Sequence, residues 1–145
     1  MKYVIIGNSA AAVGCIEGIR SIDKEGEITV ISDEIYHTYS RPLISYYLSG
    51  KTAEDKIYYR DKDFYVNNNC KTLLGKRAIK IDSINKNVVL DDNSKISYDK
   101  LLVATGSRPF VPNIEGYDKV TNKFTFLKYD DAKALEKVIN PESKV

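Results

Sequence analysis

The N-terminal segment carries the pattern that most constrains the fold. Residues 2–6 (KYVII) are apolar after Lys2 and rich in β-branched side chains, and they end at Gly7, which is typical of a buried strand. Apolar side chains then recur at helical spacing over residues 9–21, and residues 27–31 form a second strand-like run. A strand, a helix and a strand in this order predict a βαβ unit with two parallel strands.

The turn between the first strand and the helix is a variant of the dinucleotide fingerprint G-x-G-x-x-G/A. Gly7 permits a tight turn, and the small Ala12 permits close packing of the helix on the sheet. Ser9 replaces the second glycine of the fingerprint. Its Cβ leaves less room between the backbone and a phosphate, whereas its hydroxyl can donate a hydrogen bond to that phosphate. The N–H groups and dipole of the helix start favour a pyrophosphate. Asp33 and Glu34, after the second strand, are the candidate ribose carboxylates.

Short elements are predicted along the rest of the chain. Residues 43–48 read as a short helix with Pro42 at its first turn. Residues 52–67 read as two short helical pieces, with Thr52 and Asp61 as N-caps. The remaining strand-like runs are residues 71–74, 77–81, 87–90, 94–98 and 101–104, and the last amphipathic helix is 130–138. The runs at 87–90 and 94–98 flank a polar turn and predict a hairpin.

Composition excludes several classes of protein. The 145 residues suit one domain, and a net charge of +2 does not indicate nucleic acid binding. No apolar run reaches the roughly 18 residues of a membrane span. Two cysteines are too few for a disulfide scaffold and fit a reduced, cytoplasmic protein. One histidine and the lack of a CxxC pair argue against zinc, so no metal site is predicted.

Three motifs occur in a characteristic order: VIIGNSAAAVG, TYSRPLIS and LLVATGSRPFVP. Together they resemble the FAD-binding domain of the pyridine nucleotide-disulfide oxidoreductase superfamily, in its rubredoxin-reductase and nitrite-reductase flavin-domain branch. The resemblance covers residues 1–140. It implies an α/β fold, a Rossmann-like parallel sheet with a small antiparallel β insertion at residues 87–98.

The resemblance implies FAD as the cofactor and assigns one set of residues to its adenosine and pyrophosphate. Asp33 or Glu34 would hold the adenosine ribose, and Ala78 would touch adenine through its backbone. The residues expected to line the pyrophosphate are Gly7, Ser9, Ala10 and Ala11.

A second set is expected nearer the flavin. Arg41 and Pro42 would face the flavin side, with Arg41 offering donors to phosphate or ring oxygens. The residues expected to pass close to the cofactor at the end of the late strand are Ala104, Thr105, Gly106 and Arg108. Each of these residues also has a simpler interpretation. Arg41 suits a surface cation on a loop, and Arg108 suits a local salt bridge. Gly106 suits a turn that needs glycine for its backbone conformation alone.

The implied mechanism has no redox-active cysteine. Alignment to the relatives that carry such a thiol in the TYSRPLI loop places Pro42 at its position, and the paired CxxxxC is absent. Cys15 and Cys70 are interpreted as structural thiols. The resemblance then implies hydride transfer from NAD(P)H to FAD and electron transfer to an acceptor such as rubredoxin, with no catalytic side chain named.

The expected domain layout is an FAD-binding domain at residues 1–140, then a linker at 141–145 leading into an NAD(P)-binding domain that this chain lacks. The chain is therefore predicted to be the N-terminal part of a longer enzyme. Two other functions stay open. One is an NAD(P)-binding dehydrogenase or nucleotide-sensing module, from the βαβ unit alone. The other is an interaction domain that binds no cofactor, favoured by Ser9 in place of glycine.

Overall fold

The structure, a computed structural model, describes residues 1–140, 142 and 143. The predicted linker at residues 141–145 therefore lies largely outside the described residues. The chain forms two compact units. The first contains Met1–Tyr39 and Tyr58–Gly106, and the second contains Ser40–Ile57 and the described residues from Ser107 onward.

The first unit holds two small sheets. Its strands are β1 (Lys2–Ile6), β2 (Glu27–Ser32), β3 (Cys70–Leu74), β4 (Ala78–Asp82), β5 (Asn87–Leu90), β6 (Lys95–Ser97) and β7 (Lys100–Val103). Strands β3, β2, β1 and β7 lie in that order in a parallel sheet. Strands β4, β5 and β6 form an antiparallel sheet. The prediction of an α/β parallel sheet with an antiparallel insertion is confirmed.

The helices are short except for the first. They are α1 (Ala10–Ile22), α2 (Leu43–Leu48), α3 (Phe64–Asn67) and α4 (Tyr129–Glu136). The first and third belong to the first unit, and the other two belong to the second. Among the described residues, no helix has the length and apolar character needed to cross a lipid bilayer.

Both faces of the parallel sheet are covered, because successive side chains of a strand point to opposite faces. Ile5 packs on one face in a buried cluster with Ile16 of α1. Val4 and Ile6 pack on the other face in a cluster with Val88 of the antiparallel sheet. Burial on both faces explains why the central strands read as continuous apolar runs in the sequence.

The second unit is built around a buried tyrosine. Tyr129 is fully buried at the start of α4, and its ring meets the ring of Tyr47 edge-on at 5.2 Å. The Lys133 ammonium lies 4.4 Å from the Tyr129 ring centroid and 3.0 Å from a carboxylate oxygen of Glu54. The carboxylate of Asp131 accepts the Lys128 backbone N–H at 2.8 Å and so caps the helix. Side chains of α2 and α4 therefore hold this unit together.

The predicted caps between residues 52 and 67 are wrong. The 3-10 turn Glu54–Lys56 begins after Ala53, and α3 begins after Asp63. Thr52 belongs to the turn that ends α2, because its N–H donates back to that helix. The Asp61 carbonyl accepts the N–H of the first residue of α3, so a turn precedes the helix and moves its start. The short helix predicted at residues 43–48 is α2, with Pro42 directly before it as the N-cap.

The guanidinium of Arg20 connects the end of α1 to two turns, one before β2 and one before β3. Arg20 donates to the carbonyl of Asp23 at 2.9 Å and to that of Gly26 at 2.8 Å, in the turn before β2. Its Nε donates to the carbonyl of Asn68 at 2.7 Å, in the turn before β3. The positive charge also suits the negative end of the helix dipole.

We expect Arg20→Ala to lower the free energy of unfolding by about 2 kcal/mol, because several carbonyls lose a charged donor. Arg20→Lys should recover only part of this loss, since an ammonium lacks the planar fork of a guanidinium. Urea unfolding monitored by circular dichroism measures both values. Arg77→Ala, which removes an exposed arginine, is the matched control and should change stability little. An equal loss for Arg20→Ala and Arg77→Ala would contradict the assignment.

Candidate nucleotide-binding site

Gly7 begins the turn between β1 and α1, and its backbone conformation requires glycine. Its φ is +122°, and its N–H donates to the carbonyl of Ile31 in β2 at 2.8 Å. A Cβ on Gly7 would lie 2.1 Å from the carbonyl oxygen of Ala104, which follows β7. The Ala104 N–H donates to the carbonyl of Ile6 at 2.7 Å. The fold thus brings the first and third sequence motifs into direct contact.

The start of α1 presents backbone donors. Ser9 is its N-cap with an extended backbone, and the Ser9 side chain makes no capping hydrogen bond. The first N–H groups of a helix lack intrahelical acceptors, and the first turn of α1 contains no acidic side chain. Ala10 and Ala11 are exposed, whereas Ala12 is buried against the sheet as predicted. This geometry fits an anionic pyrophosphate.

The two candidate ribose carboxylates have different environments. Asp33 is exposed, whereas Glu34 is only 7% exposed. The Tyr39 hydroxyl donates to Oε2 of Glu34 at 2.6 Å, and the Glu34 N–H donates to Oγ of Ser32 at 3.2 Å. Both carboxylates follow the carboxyl end of β2, the edge at which ligands of open α/β sheets bind.

Ala78 is close in the fold to this acidic loop. The segment just before it runs along the end of β2, since the N–H of Lys76 donates to the carbonyl of Ser32 at 2.9 Å. The N–H of Gly75 donates to the carbonyl of Glu34 at 3.2 Å. Ala78 itself opens β4 and packs against the cluster around Ile6. The candidate contacts for ribose and adenine therefore come from adjacent segments.

The candidates nearer the flavin are divided between the two units. Thr105 and Gly106 follow β7 in the first unit; both are exposed, and Gly106 has a φ of +67°. Arg41, Pro42 and Arg108 belong to the second unit. There, Arg41 donates to the carbonyl of Leu127 at 3.0 Å, and Arg108 is exposed.

The structure adds Asn8, which the sequence interpretation missed. Its Nδ2 donates to the carbonyl of Tyr36 at 3.1 Å, and its Oδ1 accepts from the hydroxyl of Tyr65. The fingerprint leaves this position unspecified, and Tyr65 is distant in the sequence. No local signal identified the pair.

Both cysteines lie in packed positions. Cys15 and Cys70 lie against the cluster on the α1 face of the sheet, and Cys70 is the first residue of β3. Burial raises the pKa of the Cys15 thiol, and it raises the pKa of Cys70 to about 11. Both thiols are therefore protonated near neutral pH and poorly nucleophilic. Within the described residues, no group of three or more acidic, cysteine or histidine side chains is arranged to hold a metal ion.

The fold and the loop define the class of protein. A parallel sheet ordered β3-β2-β1-β7, with a glycine turn leading into a helix start, is the Rossmann-like fold that dinucleotide-binding domains share. The family model described as pyridine nucleotide-disulphide oxidoreductase matches residues 1–145. The chain belongs to this family.

Relatives in the family are oxidoreductases that are much longer than this chain. The NADH-dependent phenylglyoxylate dehydrogenase subunit epsilon of Aromatoleum evansii is 40% identical, over 83% of this chain and 28% of the relative. The NADH-rubredoxin oxidoreductase of Clostridium acetobutylicum is 31% identical, over 90% of this chain and 33% of the relative. The crystal structure of the covalent putidaredoxin reductase-putidaredoxin complex superposes with a TM-score of 0.84 at 29% identity, over 94% of this chain and 33% of that one. The chain thus spans a third or less of each.

We expect Gly7→Ala to lower the free energy of unfolding by about 3 kcal/mol, because the new methyl group overlaps a backbone carbonyl and the backbone is strained. Gly14→Ala is the matched control. A Cβ there meets nothing within 4 Å, and the site lies inside α1. That substitution should raise the free energy of unfolding by about 0.5–1 kcal/mol. Thermal or urea unfolding of both variants tests the contrast, and a stable Gly7→Ala variant would refute it.

We expect both thiols to react slowly in the folded protein. At pH 8 a thiol with a pKa of about 11 is far less ionised than an ordinary cysteine, so Cys70 should alkylate on the order of a hundredfold more slowly. Iodoacetamide labelling followed by peptide mass spectrometry measures each rate, with the urea-unfolded chain as the control. Rapid labelling of Cys70 in the folded protein would contradict a structural role.

Proposed function

We propose that this chain is the FAD-binding part of an NAD(P)H-dependent flavoprotein oxidoreductase. The observation that carries the proposal is the contact of Gly7 with Ala104 beside the open start of α1. This contact joins two family motifs at the edge of the sheet where dinucleotides bind. Family membership and NADH-dependent relatives support the same function.

Residues of the first unit would hold the adenosine diphosphate half of the cofactor. Asp33 or Glu34 would accept hydrogen bonds from the ribose hydroxyls. Ala78 would present backbone groups to adenine. The residues proposed to line the pyrophosphate are Gly7, Ser9, Ala10 and Ala11. Backbone donors at a helix start suit this role because they are fixed before the ligand arrives.

Within the first unit, the residues assigned to the flavin side are Ala104, Thr105 and Gly106. Within the second unit, they are Arg41, Pro42 and Arg108. When bound, FAD supplies the conversion between two-electron and one-electron transfer. The guanidinium of Arg41 would orient the cofactor through planar, charged hydrogen bonds. Pro42 places no thiol in this loop, and Cys15 and Cys70 pack on the α1 face of the sheet, so neither cysteine of this chain would take part in the electron transfer.

The whole enzyme would extend beyond this chain. We assign residues 1–140 to the FAD-binding domain, and we place the NAD(P)H site in a further domain that follows residues 141–145. The acceptor would be a small redox metalloprotein such as rubredoxin, which one relative's name specifies for that relative. A cytoplasmic location is proposed from the two unpaired cysteines.

One alternative function rests on a specific residue. Ser9 takes the place of a fingerprint glycine, which favours an interaction domain that binds no cofactor. The βαβ unit alone also suits an NAD(P)-binding dehydrogenase or nucleotide-sensing module. Such a protein would bind nicotinamide nucleotide and would be colourless. A cofactor-free interaction domain would bind neither.

The first experiment is the absorbance spectrum of the purified protein in its natural length, followed by titration with FAD. We expect bands near about 370 and 450 nm that shift as the cofactor binds. Gly7→Ala should abolish binding, whereas the control Gly14→Ala should retain it. A colourless protein that ignores FAD but binds NAD(P)H would overturn the proposal in favour of the alternative.

A further inference from the structure

The side chain of Asn8 connects two loops that approach the nucleotide site from different parts of the chain. One is the phosphate loop, which contains Asn8 itself between Gly7 and the N-cap Ser9. The other is the loop that follows β2, which carries Asp33 and Glu34 and then Tyr36. Both ends of the Asn8 amide are used, one as a donor to the carbonyl of Tyr36 at 3.1 Å and one as an acceptor from Tyr65.

Tyr65 is a well-defined partner for Asn8. It lies in α3, it is only 8% exposed, and its ring meets the ring of His37 edge-on at 4.9 Å. Burial raises the pKa of Tyr65 to about 12, so its hydroxyl stays protonated and remains a hydrogen-bond donor across physiological pH. A neutral amide and a neutral hydroxyl satisfy each other without the cost of burying a charge.

The loop after β2 is itself held by the segment that leads into α3. The Tyr59 N–H donates to the carbonyl of Thr38 at 2.9 Å, and Nε2 of His37 lies 3.1 Å from the carbonyl of Arg60. Tyr39 and Tyr58 form an isolated antiparallel bridge. The Asn8 side chain therefore connects the phosphate loop to the loop after β2, which other hydrogen bonds already hold in place.

We propose that Asn8 is a positioning residue, which through Tyr36 and Tyr65 fixes the phosphate loop relative to the loop that carries the ribose carboxylates. The inference rests on the proposed function, because it assigns these loops to two parts of one dinucleotide. Their separation is then set before the ligand binds, which lowers the entropy cost of binding. Asn8 needs no contact with the cofactor for this role.

The test uses the protein in its natural length and compares Asn8→Ala with Tyr65→Phe, which removes one hydroxyl and keeps the ring. We expect Asn8→Ala to weaken FAD binding about tenfold, measured by fluorescence titration. Tyr65→Phe should cause part of that loss. In the double variant the two losses of FAD affinity should be less than additive, because each substitution by itself already removes the hydrogen bond between Asn8 and Tyr65. Asn67→Ala, an exposed asparagine at the end of α3, is the matched control.

A second measurement needs no cofactor. In the apoprotein, amide hydrogen exchange of residues 36–39 should accelerate in Asn8→Ala and stay unchanged in Asn67→Ala, while melting temperatures report any general loss of fold. Exchange that accelerates without any change in FAD affinity would overturn the positioning role, as would unchanged exchange. Failure of the unsubstituted protein to bind FAD would instead overturn the proposed function, so the two failures are distinguishable.

Discussion

The close approach of Gly7 to the Ala104 carbonyl is the constraint on which the rest of the site depends. The two residues end neighbouring parallel strands, and the space between them leaves no room for a Cβ. The left-handed backbone of Gly7 then turns the chain into α1, so the helix starts directly over the edge of the sheet. Without that turn, the backbone donors of the helix would not lie beside the carboxyl ends of β1, β2 and β7.

The antiparallel sheet that packs on the face of the parallel sheet opposite α1 also positions residues of the candidate site. A doubly wound domain usually carries helices on both faces, but here the antiparallel sheet of β4, β5 and β6 packs on one of them. Its first strand follows a segment that is hydrogen-bonded to the end of β2. The insertion thus does more than bury Val4 and Ile6, because it brings Ala78 to the acidic loop.

The electron transfer proposed for this protein uses no thiol of this chain. Both thiols are used in packing, and burial raises the pKa of each. Pro42, in the loop between β2 and α2, has no thiol. The protein would therefore contribute binding and orientation, while a bound cofactor would carry the electrons.

The sequence by itself determined the βαβ unit, the glycine turn, the hairpin and the family, because each depends on residues close together in the chain or on ordered motifs. The caps at Thr52 and Asp61 were wrong, since backbone turn bonds compete with capping over such short distances. Only the tertiary structure distinguished buried Glu34 from exposed Asp33. Only it joined Asn8 to Tyr65, because a hydrogen bond between residues 57 positions apart leaves no periodic trace in the sequence.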